Sequence, residues 1–249
     1  MIEVRNISKA FNNKVILNDV STVFEKGKSN LLIGASGTGK TVLLKAIVGL
    51  VKPDMGDVFY DTRNFTIADR VLKTDIRREM GMLFQGAALF DSKNVEENVM
   101  FPLQLLTNQS KEEMIERVNF CLKRVGLDNV NDKMPSEISG GMKKRVGIAR
   151  AIVLNPKYLF CDEPNSGLDP QTSILIDDLI MEITHEYKTT TVVVTHDMNS
   201  VVGMGENIVF LYKGEKLWQG DYKNIRDSGV EELDSFINAS KLMKEYKGI

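Results

Sequence analysis

The sequence predicts an α/β fold: a mostly parallel sheet covered on both faces, with a helical lobe set into its middle. Three observations carry this. Tyr158–Cys161 and Thr191–Thr195 are short β-branched or aromatic runs with no apolar–polar alternation, the pattern of strands buried on both faces. Helical segments separate such runs, as in a parallel sheet built from strand–helix units. And from about residue 91 to 155 the pattern is helical, which reads as an insertion.

The elements follow in order. Residues 2–7 and 15–24 carry alternating apolar positions with Asn12-Asn13 as the turn between them, so the chain should begin with a hairpin. Glu25-Lys26-Gly27-Lys28 punctuates. Leu31-Leu32-Ile33 is an apolar run that stops at Gly34, and a helical pattern starts near Lys40. Val58-Phe59-Tyr60 and Met82-Leu83-Phe84 read as further strands. Residues 111–125 place Met114, Ile115, Val118, Cys121, Leu122 and Val125 on one helical face, and Gly126 follows as the stop. Residues 208–218 read as a hairpin around Lys213-Gly214. From Glu231 the tail puts Leu233, Phe236 and Ile237 on one face before a basic end.

Composition narrows the function. A chain of 249 residues falls between one and two domains at about 150 residues each. With no linker, it reads as one domain with lobes. At 43% hydrophobic and 27% charged it is neither disordered, fibrous nor a disulfide scaffold. Lys plus Arg is 32 against 34 Asp plus Glu, a net charge of −2, so no global basic footprint marks a dedicated nucleic-acid binder. No stretch reaches the roughly 18 apolar residues of a membrane span. Met1–Arg5 alternates like a strand rather than reading as a secretory signal. Cys121 and Cys161 fall in different motifs and are expected to be buried small hydrophobes in a reducing cytosol.

Chemistry concentrates at four places. Gly34-Ala35-Ser36-Gly37-Thr38-Gly39-Lys40-Thr41 fits G-x-x-x-x-G-K-[ST]. The glycines let backbone N–H groups turn inward around phosphate oxygens, Lys40 reaches the β- and γ-phosphates, and the Thr41 hydroxyl coordinates Mg²⁺. Tyr158-Leu-Phe-Cys161-Asp162-Glu163 is an apolar run ending in two carboxylates. Beside a phosphate loop, Asp162 can hold Mg²⁺ and Glu163 can polarise an attacking water. His196 follows the run ending at Thr195 and is placed to contact a γ-phosphate. His185, in a polar helical stretch, is expected at the surface. Finally, Ser139-Gly140-Gly141-Met142 makes a second phosphate-binding helix start: serine caps the helix and the glycines leave N–H groups bare. One chain has no use for two such ends on one γ-phosphate, but two chains arranged head to tail do.

At this point the sequence resembles the ATP-binding-cassette (ABC) ATPases over nearly its full length, with the family's motifs in the family's order. The resemblance makes Gly34–Thr41 the Walker A loop, Gln85 the Q-loop glutamine and Ser139–Met142 the signature, with Met142 in place of the common glutamine. It makes Asp162-Glu163 Walker B plus the catalytic glutamate, Ser166-Gly167-Leu168-Asp169 the D-loop and His196 the switch histidine. Phe11 stands where an aromatic stacks on adenine; the alternative is a core position. The resemblance implies a P-loop NTPase with a RecA-like core, an N-terminal antiparallel β subdomain and an inserted helical subdomain. Residues 1–249 would form one ABC ATPase domain: about 1–84 and 156–230 the core and β subdomain, about 85–155 the helical subdomain, about 231–249 a helical tail. It also implies ATP and Mg²⁺ as cofactors, with Glu163, His196 and Gln85 catalytic and Thr41, Gln85 and Asp162 at the metal. Phe11, the loop residues, Ser139–Met142 and Asp169 would contact nucleotide across a dimer.

Among family members, chromosome-maintenance ATPases carry long coiled coils between Walker A and signature, and translation factors carry two cassettes per chain. Neither pattern is present, which disfavours action on nucleic acid or the ribosome. A single cassette fits the motor subunit of a bacterial transporter, cytoplasmic and peripheral on the inner face of the cell membrane, with a second copy of itself and a separate permease as partners. Residues 85–110 are where a permease helix would dock. Met82–Ser92 and Asn98–Leu103 look like the lipid-asymmetry (Mla/MCE-type) phospholipid transport ATPases, as does Met142 followed by Lys143-Lys144-Arg145. Those relatives add an MCE-domain lipid-binding protein and a small accessory subunit as partners. Amino-acid importers look similar over the same stretch, so small-molecule import stays open. The basic run is either a solvated helix face or a contact near nucleotide or partner. The tail either packs on its own domain or meets the second copy or an accessory subunit.

Overall fold

The chain is described by a computed structural model over residues 1–239. β1 (Ile2–Phe11) and β2 (Lys14–Phe24) form the expected hairpin, with Asn12 and Asn13 both in the left-handed conformation that asparagine tolerates. β3 (Ser29–Ile33) runs straight into the glycine-rich loop and α1 (Lys40–Ile47). β4 (Met55–Tyr60) returns to pair with β1 and β5 (Arg63–Asn64) extends it, completing a four-stranded antiparallel sheet in the order β2-β1-β4-β5. α2 (Arg70–Arg78) leads to β6 (Met80–Leu83). Three helices follow: α3 (Val95–Leu106), α4 (Lys111–Arg124) and α5 (Gly140–Ile152). The chain then alternates β7 (Tyr158–Asp162), α6 (Pro170–Tyr187), β8 (Thr190–Thr195) and α7 (Met198–Met204). It closes with the hairpin β9 (Asn207–Tyr212) and β10 (Glu215–Gly220), and with α8 (Glu231–Ala239).

The second sheet has six strands in the order β10-β9-β3-β8-β7-β6, parallel throughout except for β10. Successive side chains of a strand point to opposite faces, and here both faces are covered. Leu31, Ile33, Leu159, Cys161 and Val193 enter one core, shared with the helices. Leu32, Phe160, Val192 and Val194 enter a second core, shared with α1 and the antiparallel sheet. Each fully buried aliphatic side chain contributes roughly 1.5–3 kcal/mol, so the central strands anchor everything they carry. Both cysteines are free and buried in this core. Burial pushes the Cys121 thiol up to about 11 and the Cys161 thiol up to about 12.

The helices start where their sequences say they should. Asn94 and Ser110 each cap the next helix in a reciprocal box with the glutamate three residues on, Glu97 and Glu113. Gly126 follows α4 at φ 67°, the left-handed conformation that ends a helix and suits glycine. The strand expected at residues 82–84 lies at Met80–Leu83, and α3 begins only at Val95. α2, β5 and α7 are not among the elements expected from the sequence. α2 turns only Leu72 and Ile76 to the core among charged neighbours, and α7 spans seven residues, too few to show a period. In the tail, α8 buries Leu233 and Ile237 and sets the Phe236 ring, tilted by 40°, 5.6 Å from that of Phe210, so these residues pack on their own domain. The basic end of the tail lies outside the described residues. Among the described residues no helix is long and apolar enough to cross a membrane.

Candidate functional site

Parallel pairing brings β3, β8 and β7 to a common edge. Ile33 lies opposite Thr195, and Asp162 opposite Val194. The residues just beyond these ends, the Gly34–Thr41 loop, Glu163 and His196, therefore meet at the carboxyl edge of the sheet, where open α/β folds bind ligands.

The loop has the shape its glycines permit. Gly34, Gly37 and Gly39 take φ values of 148°, 81° and 101°. A Cβ on Gly34 would meet the Leu211 carbonyl at 2.3 Å, and one on Gly39 would meet Leu17 at 2.8 Å, so the loop packs against β9 and β2 too tightly for a side chain. Thr38 turns its hydroxyl onto the Ala35 carbonyl at 2.9 Å. Lys40 is buried, its ammonium donating to the carbonyls of Gly34 at 2.8 Å and Ala35 at 2.9 Å. Burial pushes its pKa down, while Glu163 and Asp162 act to hold it up. An ammonium held by two neutral carbonyls in a partly dry pocket is under-neutralised, and an anion of higher charge would displace those contacts.

Asp162 is buried at the end of β7, and its Oδ1 has no hydrogen-bond partner. Burial, then the neighbouring Glu163, push its pKa up; the Thr41 hydroxyl, which bonds to it, acts the other way. A buried, orphaned carboxylate oxygen beside a hydroxyl and a lysine fits a hard divalent cation, whose ligands are oxygens. Thr41 and Asp162 thus fit Mg²⁺ as a pair of oxygen ligands on this chain's own geometry. Glu163 sits at φ 50°, a left-handed conformation that costs a non-glycine residue strain. Its amide donates to Val194 and its carbonyl accepts from Ser166, so the turn is tied on both sides. Its carboxylate meets His196 Nδ1 at 2.7 Å.

Gln85 is exposed just after β6, its side-chain amide donating to Ser166 Oγ at 3.3 Å. A cavity of about 530 Å³ is lined by Ala35, Ser36, Lys40, Gln85, Glu163 and His196, with Phe236 of α8 on its rim. Ala35, Ser36 and Lys40 of the loop therefore share one pocket with Gln85, Glu163 and His196.

The remaining predicted residues lie elsewhere. Ser139 caps α5, accepting from the Met142 amide at 3.2 Å. Ser139, Gly140 and Gly141 line a separate hollow with Gly167, Leu168 and Asp169. Gly141 packs so closely on α6 that a Cβ would meet Thr172 at 2.7 Å. Asp169 is exposed and caps α6; the Thr172 hydroxyl and amide hold its carboxyl below the usual range. Phe11 ends β1 at 45% exposure with the Lys9 ammonium 5.1 Å from its ring, so it is not a core aromatic, and it does not line the pocket. His185 is at the surface as expected, paired with Glu206 at 3.1 Å.

The basic run splits by residue. Arg145 donates to the Gly126 carbonyl at the end of α4. Lys144 is buried, bonding the carbonyls of Gln85 and Glu163 and so tying α5 to both. Arg150 holds the carbonyls of Ala87 and Ala88, two residues with positive φ. Sequence spacing alone left Lys144 undecided. Its signal was position: it shares a helical face with Gly147, Ile148 and Ala151, all buried.

Comparison with known proteins is consistent with this geometry. A family profile described as ABC transporter matches residues 17–166. The probable ribonucleotide transport ATP-binding protein mkl of Mycobacterium leprae is 36% identical over 241 residues, covering 97% of this chain and 70% of its own. The methionine import ATP-binding protein MetN of Campylobacter jejuni is 36% identical over all of this chain and 76% of its own length. The chloroplastic protein TRIGALACTOSYLDIACYLGLYCEROL 3 of Arabidopsis thaliana is 39% identical over 88% of this chain and 68% of its own. Among solved structures, the dimeric ATP-binding cassette MJ0796 bound to ADP and Pi superposes with a TM-score of 0.81 at 32% identity, over 89% of this chain and 99% of that one. The cbiO1 subunit of the cbiONQ transporter complex from Clostridium perfringens gives 0.83 at 26% identity, over 99% and 98%.

Proposed function

The chain belongs to the ABC transporter family of ATP-binding proteins, and on that premise we propose that it is the motor of a transporter whose membrane-spanning permease is a separate chain. As a member of that family it binds ATP with Mg²⁺ and hydrolyses ATP. One observation carries the rest of the reading: the pocket around Lys40 and the hollow at Ser139 are separate and share no lining residue. A second copy turned head to tail would bring its Ser139–Met142 helix start to the first copy's pocket. The dimeric state of the solved cassette supports this arrangement.

In this reading the loop amides and Lys40 bind the triphosphate, and Ser139, Gly140, Gly141 and Met142 of the partner copy close over it with Asp169. Thr41, Asp162 and Gln85 would hold Mg²⁺, which when bound neutralises phosphate charge. Glu163 orients the attacking water, and its bond to His196 keeps the carboxylate and the imidazole facing the same point. The residues outside the sandwich suit a membrane partner. Phe84, Phe90, Phe101, Pro102 and Leu106 line an apolar hollow of about 430 Å³ beside Gln85, where a permease helix would dock and hold the chain to the inner face of the membrane. The cargo we favour is phospholipid. The sequence over 82–103 supports it, as does a relative whose name is that of a glycolipid. The import of a small molecule, as MetN is named for methionine, is the competing cargo.

Glu163→Gln tests the site. The variant should bind ATP with wild-type affinity, lose turnover and accumulate as an ATP-bound dimer in size-exclusion chromatography. Steady-state hydrolysis at the wild-type rate would remove Glu163 from the mechanism.

A further inference from the structure

Behind the pocket lies a buried polar cluster that the function above does not use. Asn165, Asp177 and Ser200 come from three elements: the turn after Glu163, the middle of α6 and the first turns of α7. All three are buried. Asn165 Nδ2 donates to Asp177 Oδ1 at 2.8 Å and to Ser200 Oγ at 3.1 Å, and the Ser200 hydroxyl donates to Asp177 Oδ2 at 2.7 Å. Asn165 lies two residues after Glu163 and opens the Ser166–Asp169 loop, whose Leu168 amide it accepts at 3.1 Å. Ser200 lies four residues after His196. The two residues that face each other across the pocket are thus joined a second time, beneath it, through Asp177.

We propose that Asp177 is a positioning residue: through Asn165 and Ser200 it sets the distance and angle between Glu163 and His196. The proposal rests on the reading of those two residues above. A carboxylate in this place is expensive, since burial of a charge without a cation is unfavourable. The groups acting on it are Asp197 at the start of α7, Asp178 on its own helix and the Cys161 thiol of β7, none of them cationic. Burial accordingly lifts its carboxyl to about 6. An apolar residue would be cheaper, but it would leave both donors unsatisfied.

The cluster also has a spare acceptor, for Asn165 Oδ1 is buried without a partner. With Asp177 ionised, both its oxygens accept, as observed. With Asp177 protonated, a half-turn of the Asn165 amide lets the carboxyl O–H donate to that oxygen. The ionised form dominates above pH about 6, so hydrolysis should rise through that pH as the observed network forms.

Asp177→Asn keeps the shape and removes the titration. In the full-length protein it should lower kcat about ten-fold, a modest misplacement of reacting groups, with KM for ATP within about two-fold of wild type. The rise through pH 6 should flatten. An acid whose pKa is raised on folding costs stability as pH rises from its unfolded value, about 4, to its folded value, about 6, so the melting temperature of the variant relative to wild type should climb over that window and level off above it. Ser200→Ala, which leaves Asp177 its charge, should lower kcat while keeping a shifted pH limb. An Asp177→Asn variant with wild-type kcat and an unchanged pH limb overturns the proposal, and so does an equal loss in kcat and ATP affinity with that limb intact. Glu163→Gln separates the two readings: if it retains turnover, the site assignment fails whatever Asp177 does.

Discussion

The two nucleotide-facing regions of this chain are built differently. Around Lys40, the groups are engaged with their own chain, apart from the orphaned Asp162 Oδ1: the ammonium with two carbonyls, Glu163 with His196, the backbone of Glu163 with Lys144 and Ser166. At Ser139 the helix start is exposed, and Ser139 and Gly140 face solvent beside an equally exposed Asp169. The first region is a pocket that holds its geometry alone. The second is half of a contact, and its chemistry acquires a target only from another molecule. Binding and turnover should therefore separate by region.

The largest effect is expected from Lys40→Ala. It removes a charge-assisted contact, commonly about 1.5–3 kcal/mol, and should weaken ATP binding to the isolated chain by about 10- to 100-fold in a nucleotide titration. Ser139→Ala should do the reverse, leaving that affinity unchanged while slowing hydrolysis and dimerisation. The lost cap costs about 1 kcal/mol of helix stability. The comparison breaks if Ser139→Ala weakens nucleotide binding to the monomer as Lys40→Ala does. Mixing the two variants sharpens it, because each mixed dimer would hold one intact pocket facing one intact helix start. Activity of the mixture above either variant alone is the expected result; a sum no greater than its parts would mean the sites do not cross between chains.

Legibility in the sequence followed the same division. The pocket was readable because its parts are contiguous and chemically demanding: glycines at fixed spacing before Lys40, and two carboxylates closing an apolar run. The helix start at Ser139 was readable for the same reason. What joins the regions was not. Lys144 is one of three cations that the sequence leaves open between a solvated face and a contact near nucleotide or partner, and only the buried face of α5 shows that it turns inward. Asp177 lies beside Asp178 in a helix where either could have been solvated, and tertiary packing alone decides which is buried. α2 went unread because its apolar stripe is only two residues long, Leu72 and Ile76, set among charged neighbours. Local chemistry leaves a local signature; long-range ties between polar groups leave none.

Phe11 belongs to neither region as the structure stands, and it carries the smallest expected effect. Half-exposed at the end of β1, with Lys9 beside its ring, it has no packing role that would hold an aromatic there. If adenine stacks on it, Phe11→Ala should cost about 1–3 kcal/mol, weakening ATP binding by roughly 5- to 100-fold. Its exposure places the expected value at the lower end. Inorganic tripolyphosphate has no base to stack, so its affinity should not change, whereas Lys40→Ala should weaken both ligands alike. An equal loss for ATP and tripolyphosphate would show that the substitution disturbs the loop through β2 rather than removing a stacking partner. No loss for either would leave the base to be held by another surface. The pocket would then grip its ligand by the phosphates alone, and discrimination among nucleotides would have to come from the second copy.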